Sequence, residues 1–192
     1  MINVQEKKMH EVQSSITMIV LLVSFSMLFG TLFMGYMVFR VRATVWPPMG
    51  MDDIGLFYPT MSTLIIFFSS ITYYLFENDF QKNKISAARG LLLASLLLGI
   101  GFCISQLLVW NHLTLKGITQ SSGIFGSMIY GFTWIHFAHI AIGILLLIWL
   151  NFNFKNFSQV DFKNHLKIKN IGMFWHFLGL IWLIIYLILF VF

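Results

Sequence analysis

The sequence predicts an all-α protein, an integral membrane bundle of five transmembrane helices forming a single transmembrane domain over 1–192. Three observations predict it. Hydrophobic residues make up 58% of the chain and charged residues only 10%. Asp, Glu, Lys and Arg are absent from five long windows, 12–39, 54–76, 90–115, 117–154 and 171–192. None of these windows alternates polar and apolar residues as a barrel strand does. About 20 apolar residues rising 1.5 Å each cross the ~30 Å hydrocarbon core, and a helix satisfies its own backbone there.

Each element follows from where its window begins and ends. The first helix is expected over about 16–39, with Arg40 and Arg42 able to snorkel to the interface and Trp46, Pro47 and Pro48 marking an ordered connection, since consecutive prolines cannot continue a helix. The segment MINVQEKKMHE before it carries both signs of charge, and no small-residue cleavage pattern follows, so this helix reads as retained. The second helix is expected over 54–76 and the third over 90–112. The fourth window is too long for one span; its polar opening GITQSSG is turn-like, which places the helix at 124–150. The fifth is expected over 171–191.

Five spans put the termini on opposite sides. The N-terminal side then carries Lys7, Lys8, Lys82, Lys84, Arg89, Lys155, Lys163, Lys167 and Lys169, against Arg40, Arg42 and Lys116. Nine against three places the N-terminus in the cytoplasm by the positive-inside rule. The net charge of +5 therefore reports topology, and no nucleic-acid partner is implied.

Ionisable groups inside a membrane are costly and usually functional. All seven acids, Glu6, Glu11, Asp52, Asp53, Glu77, Asp79 and Asp161, fall in tails or connections, which argues against an ion pump working alone. Cys103 is a lone thiol inside an apolar run, with no CxxC motif to bind metal. His136 and His139 share a helix face, His112 ends the third helix and His176 opens the fifth. By helical rise, His139 and His176 differ in depth by about 9 Å, a poor match for a shared haem. The preferred reading makes Gln106, Thr133, His136, His139 and His176 an interhelical polar framework, with no catalytic, cofactor-binding or metal-ligating residue. Arg40, Arg42, Trp46, Trp175 and Trp182 are expected to contact lipid or a neighbouring subunit. Glycines such as Gly99, Gly143 and Gly179 are expected where helices approach closely.

The segments FGTLFMGY (29–36), WPP (46–48), STLIIFFSS (62–70), GFCISQLLVW (101–110), TWIHFAHIAIG (133–143) and FWHFLGLIWL (174–183) together resemble subunit III of cytochrome c oxidase and related haem-copper oxidases, in that family's order. The paired histidines of its T-x-x-H-x-x-H motif match His136 and His139. Its W-H-F block matches Trp175, His176 and Phe177, with Trp182 beyond, and its Q-x-x-E glutamine matches Gln106. Three acids that the family carries are replaced, by Phe25 after Ser24, by Val109 and by Gly179, so proton-relay roles do not carry over. The chain resembles a short five-helix form whose first helix corresponds to the third of larger seven-helix relatives.

The resemblance implies a non-catalytic accessory subunit of an aa3-type oxidase. It would have no haem or copper of its own, since both belong to partner subunits. It would pack on subunit I, associate with subunit II, a subunit IV and a respiratory supercomplex, hold phospholipid and support proton uptake. Its expected location is the bacterial cytoplasmic (inner) membrane. Two rival readings stay open: subunit III of a quinol oxidase or the accessory protein of nitric oxide reductase within the family, and a stand-alone membrane cytochrome b outside it. A small transporter is disfavoured by the lack of intramembrane charge and broken helices.

Overall fold

The computed structural model describes residues 4–46, 55–154 and 162–191. Its elements are α1 (Val4–Arg42), α2 (Phe57–Gln81), α3 (Ile85–Leu115), α4 (Ile124–Phe152) and α5 (Phe162–Tyr186), the last continuing into a π turn, Leu187–Val191. Each contains a stretch long and apolar enough to cross a bilayer, and no strand occurs among the described residues. Pro47 and Pro48 lie outside the described residues.

The helices outrun the expected spans at most ends. α1 begins at Val4 rather than near 16, α2 runs to Gln81 rather than 76, α3 begins at Ile85 rather than 90, and α5 begins at Phe162 rather than 171. The expected spans were cut at charges. A helix has no reason to stop there, because its ends reach headgroups and water that accept Lys and Arg. At the start of α5, the Lys167 ammonium lies 5.7 Å from the centroid of the Trp149 ring.

The turns stop the helices by hydrogen bonding. After α2, Asn83 adopts a left-handed conformation (φ 58°), while Lys84 N–H donates to Asp79 O and Asn83 N–H to Phe80 O. After α3, Gly117 (φ 77°) does the same, with Ile118 N–H on Leu113 O and Gly117 N–H on Thr114 O. Both are Schellman closures, which satisfy carbonyls that the helix end would orphan. Buried Ile118 seals the second one.

α2 and α3 form the closest pair, and α2, α3, α4 and α5 close into a four-helix bundle. α1 lies outside it, against α5 and α4. Its attachment is an aromatic stripe at helical spacing, Phe25, Phe29, Phe33 and Tyr36. Phe33 stacks on Phe132 of α4 with centroids 5.1 Å apart, and Phe25 lies 6.0 Å from Phe174 of α5. The opposite face of α1 is bare: Val20 is 58% exposed, Met27 67% and Met34 68%. So large an apolar surface is not viable in water and requires lipid or a protein neighbour.

Candidate functional site

The interior is organised by hydroxyl and indole groups, because in lipid any polar atom on a span must find its partner on another helix or on its own backbone. Along the α2–α5 seam the pairs are Thr60 with Tyr186, Thr63 with Trp182, Ser70 with His176, Ser69 with Trp175, and Tyr73 with the Ile168 carbonyl. From Thr60 with Tyr186 to Tyr73 with Ile168, residue numbers rise on one helix as they fall on the other, as antiparallel helices require, with the neighbouring pairs of Ser69 and Ser70 at one level of the seam. A second set joins α2 to α3: Ser62 Oγ and Ser105 Oγ are 2.8 Å apart, Ser69 Oγ donates to Ser95 O at 2.9 Å, and Thr72 Oγ1 meets Ser95 Oγ at 2.8 Å.

Trp175 of α5 touches the other three helices of the bundle. Its Nε1–H donates to Ser69 Oγ at 3.2 Å, and its ring lies between Gly99 of α3 and Gly143 of α4. A Cβ on Gly99 would sit 2.9 Å from Trp175 Cη2, and one on Gly143 would sit 2.9 Å from Cε3 and Cζ3. Only glycine admits the indole there. Two turns along α5, Trp182 donates Nε1–H to Thr63 Oγ1 at 3.1 Å and packs edge-on against Phe102 (centroids 5.1 Å) and beside His136 (5.5 Å). The expectation that Trp175 and Trp182 meet lipid or another subunit is therefore corrected, since they are 1% and 0% exposed. Glycines and hydroxyls on the facing spans make an inward site for the rings and for their N–H groups, which lipid cannot satisfy.

The other singled-out residues are distributed as follows. Thr133 Oγ1 accepts from Trp110 Nε1 at 3.0 Å, joining α4 to α3. His176 meets Ser70 across to α2. His139 donates Nδ1–H to the Ile135 carbonyl of its own helix at 2.7 Å, and its ring packs edge-on with Phe25 (centroids 4.5 Å) and at a tilt with Phe29 (5.6 Å), both from α1. Gln106 and His136 are both 1% exposed, and neither side chain has a hydrogen-bond partner among the described residues. His136 is enclosed by Phe29, Phe102 and Trp182. Arg40 is half-buried and Arg42 exposed at the end of α1. Trp46 is half-buried, with Nε1–H on Tyr36 Oη and its ring against Phe125. No group of three or more His, Cys, Asp or Glu among the described residues could hold a metal ion.

Sequence reasoning overlooked the hydroxyls that carry most of the helix-to-helix bonds: Thr60, Thr63, Ser69, Ser70, Thr72 and Ser95. A signal was present. Ser62 and Ser69, and likewise Thr63 and Ser70, stand seven residues apart, two helical turns along one face.

Such a bundle defines a multi-pass helical membrane protein whose interior polar groups are used mainly to lock spans together. The sequence model described as "Cytochrome c oxidase subunit III" matches residues 3–192. The chain is similar to the cytochrome c oxidase subunit 3 of Thermostichus vulcanus, 29% identical over 174 residues, which are 91% of this chain and 85% of the relative. It is also similar to that of a Synechocystis species, 23% identical over 172 residues, 90% of this chain and 72% of the relative. The probable cytochrome c oxidase subunit 3 of Rickettsia felis is 30% identical over 161 residues, 81% of this chain and 55% of the relative. The chain belongs to the cytochrome c oxidase subunit III family, whose members are non-catalytic accessory subunits of haem-copper oxidases.

The three departures from the family pattern have defined places. Phe25 fills its position with a ring packed against His139. Val109 is buried in the bundle. Gly179 opens a groove between α2 and α5 that exposes His176, Ser70 and Thr63 beside Phe67 and Leu183.

Proposed function

We propose that this chain is the non-catalytic subunit III of an aa3-type cytochrome c oxidase. In this reading it packs against the catalytic subunit I, with subunit II, a subunit IV and a respiratory supercomplex as further neighbours. It holds membrane phospholipid and supports proton uptake, while haem and copper reside in its partners. The observation that carries the reading is the family match across residues 3–192. The exposed apolar flank of α1 supports it, because that flank is long enough to lie against another membrane subunit. The excess of Lys and Arg on one side supports a cytoplasmic N-terminus in a bacterial inner membrane.

The test is affinity purification of the tagged chain from native membranes in mild detergent, followed by subunit identification and a visible spectrum. The expected result is co-purification with a catalytic oxidase subunit and its haem spectrum, and a colourless chain once the partners are stripped away. A Soret band that stays with the isolated chain would refute the reading in favour of a membrane cytochrome b.

A further inference from the structure

Arg89, Leu93, Leu96 and Ile100 fall at helical spacing along one face of α3. Opposite them stand Ile148, Asn151 and Phe152 of α4, and the two helices enclose a side-opening groove with a volume of about 460 Å³. Its walls are apolar. Leu93 is 49% exposed and Phe152 84%. Its polar residues gather at one end, where Arg89 is exposed and makes no hydrogen bond or ion pair among the described residues. Lys82 and Lys84 are exposed within two turns, and no acid lines the groove. The first turn of α3, just before Arg89, adds its unpaired amides and positive dipole end.

The length of the groove selects its occupant. From Arg89 to Ile100 is about 16 Å of helix, half of the ~30 Å hydrocarbon core. In the other half the space between these helices is filled, with Trp110 of α3 lying on Trp134 and Phe137 of α4 at centroid distances of 5.2 Å. A partner's transmembrane helix would need a channel through both leaflets. A groove one leaflet deep, apolar along its length and cationic at the interface matches a single lipid: phosphate at the guanidinium, acyl chain along the leucines and isoleucines.

We propose that the α3–α4 groove is a binding site for one anionic membrane phospholipid, with Arg89 holding the headgroup phosphate and Leu93, Leu96, Ile100 and Ile148 lining its acyl chain. This deepens the lipid-binding part of the reading above and rests on that part alone.

The experiment uses the intact complex, delipidated and reconstituted with phosphatidylglycerol carrying a photoactivatable acyl chain, or with the matching phosphatidylcholine, and maps adducts by peptide mass spectrometry. Phosphatidylglycerol adducts are expected on α3 between Arg89 and Ile104 and on the last two turns of α4, exceeding those of phosphatidylcholine. Arg89→Gln should lower them about fivefold, as expected for one cation at the membrane surface. Ile100→Trp, which fills the groove, should abolish them while leaving adducts elsewhere unchanged. Equal labelling by the two lipids, labelling unaffected by Arg89→Gln, or adducts confined to other faces would overturn the site. If a variant fails to assemble, the adduct map of the unaltered complex decides. No phosphatidylglycerol adduct anywhere on the chain would overturn lipid binding altogether, an outcome distinct from a misplaced site.

Discussion

Gly143→Ala is the sharpest probe of the bundle. The new methyl would lie 2.9 Å from Trp175 Cε3 and Cζ3 and 3.1 Å from Leu178 Cδ1, well inside the 3.5–4.0 Å at which carbon atoms attract. The indole has no room to retreat, because its far edge already lies against Gly99. Overpacking of this kind costs about 1–3 kcal/mol. Alanine also favours the helix by about 0.8–1.0 kcal/mol over glycine, which conceals part of that cost.

Gly179→Ala separates the two effects. It brings the same helix gain, but its methyl would meet only Ile66 Cγ1, at 4.0 Å. The two alanine variants should therefore differ by about 1–3 kcal/mol, with Gly179→Ala the more stable. Unfolding in mixed micelles with rising denaturing detergent, followed by tryptophan fluorescence, measures the difference. Trp175→Phe in the Gly143→Ala background removes the clashing ring and should narrow the gap, a coupling that a double-mutant cycle isolates. If Gly143→Ala is no less stable than Gly179→Ala, or if Trp175→Phe leaves the gap unchanged, then Trp175 is not the wedge described here.

Further outcomes follow from the same packing. Ser69→Ala should couple to Trp175→Phe by about 0.6 kcal/mol, the usual worth of an interhelical hydrogen bond in a membrane, and additive losses in the cycle would deny the bond. Phe29→Ala empties the middle of the aromatic seam and should speed amide exchange in α1 selectively; unchanged protection there would mean that the seam does not hold the helix. His136→Ala removes a ring enclosed by Phe29, Phe102 and Trp182, at a cost of about 2–5 kcal/mol typical of large-to-alanine core changes. Less complex should assemble, with the haem spectrum of what does assemble unaltered. Full assembly with a shifted spectrum would give His136 a different role.

The five spans were readable from composition because lipid imposes one strong rule, and charge marks where it lapses. Helix ends were less readable: the same Lys and Arg that close an apolar window are welcome on a helix entering the headgroups, as Lys167 is beside Trp149. Trp175 and Trp182 were misplaced for a different reason. An indole suits an interface as well as an interior, and only its neighbours decide. Here the decision comes from Gly99, Gly143, Ser69 and Thr63, which lie 32 to 119 residues away in the chain and meet the rings only after folding. His139 shows the same limit, since a sequence cannot reveal that an imidazole turns back to the carbonyl of Ile135. The packing of Phe25 on that ring was half visible, because Phe25, Phe29, Phe33 and Tyr36 already stand at helical spacing.

The α2–α5 seam has a consequence for biogenesis. Its side-chain partners are 106 to 126 positions apart. At about 5–20 residues per second of synthesis, the seam hydroxyls of α2 wait roughly 5–25 s in the bilayer before their α5 partners emerge. During that interval Thr63 has an outlet, the carbonyl of Pro59 one turn back. Among the described residues, the Ser70 hydroxyl pairs with His176 alone. A nascent chain truncated before α5 should accordingly be held by the insertion machinery or cleared by membrane proteases, whereas one that has delivered α5 can zip shut and leave.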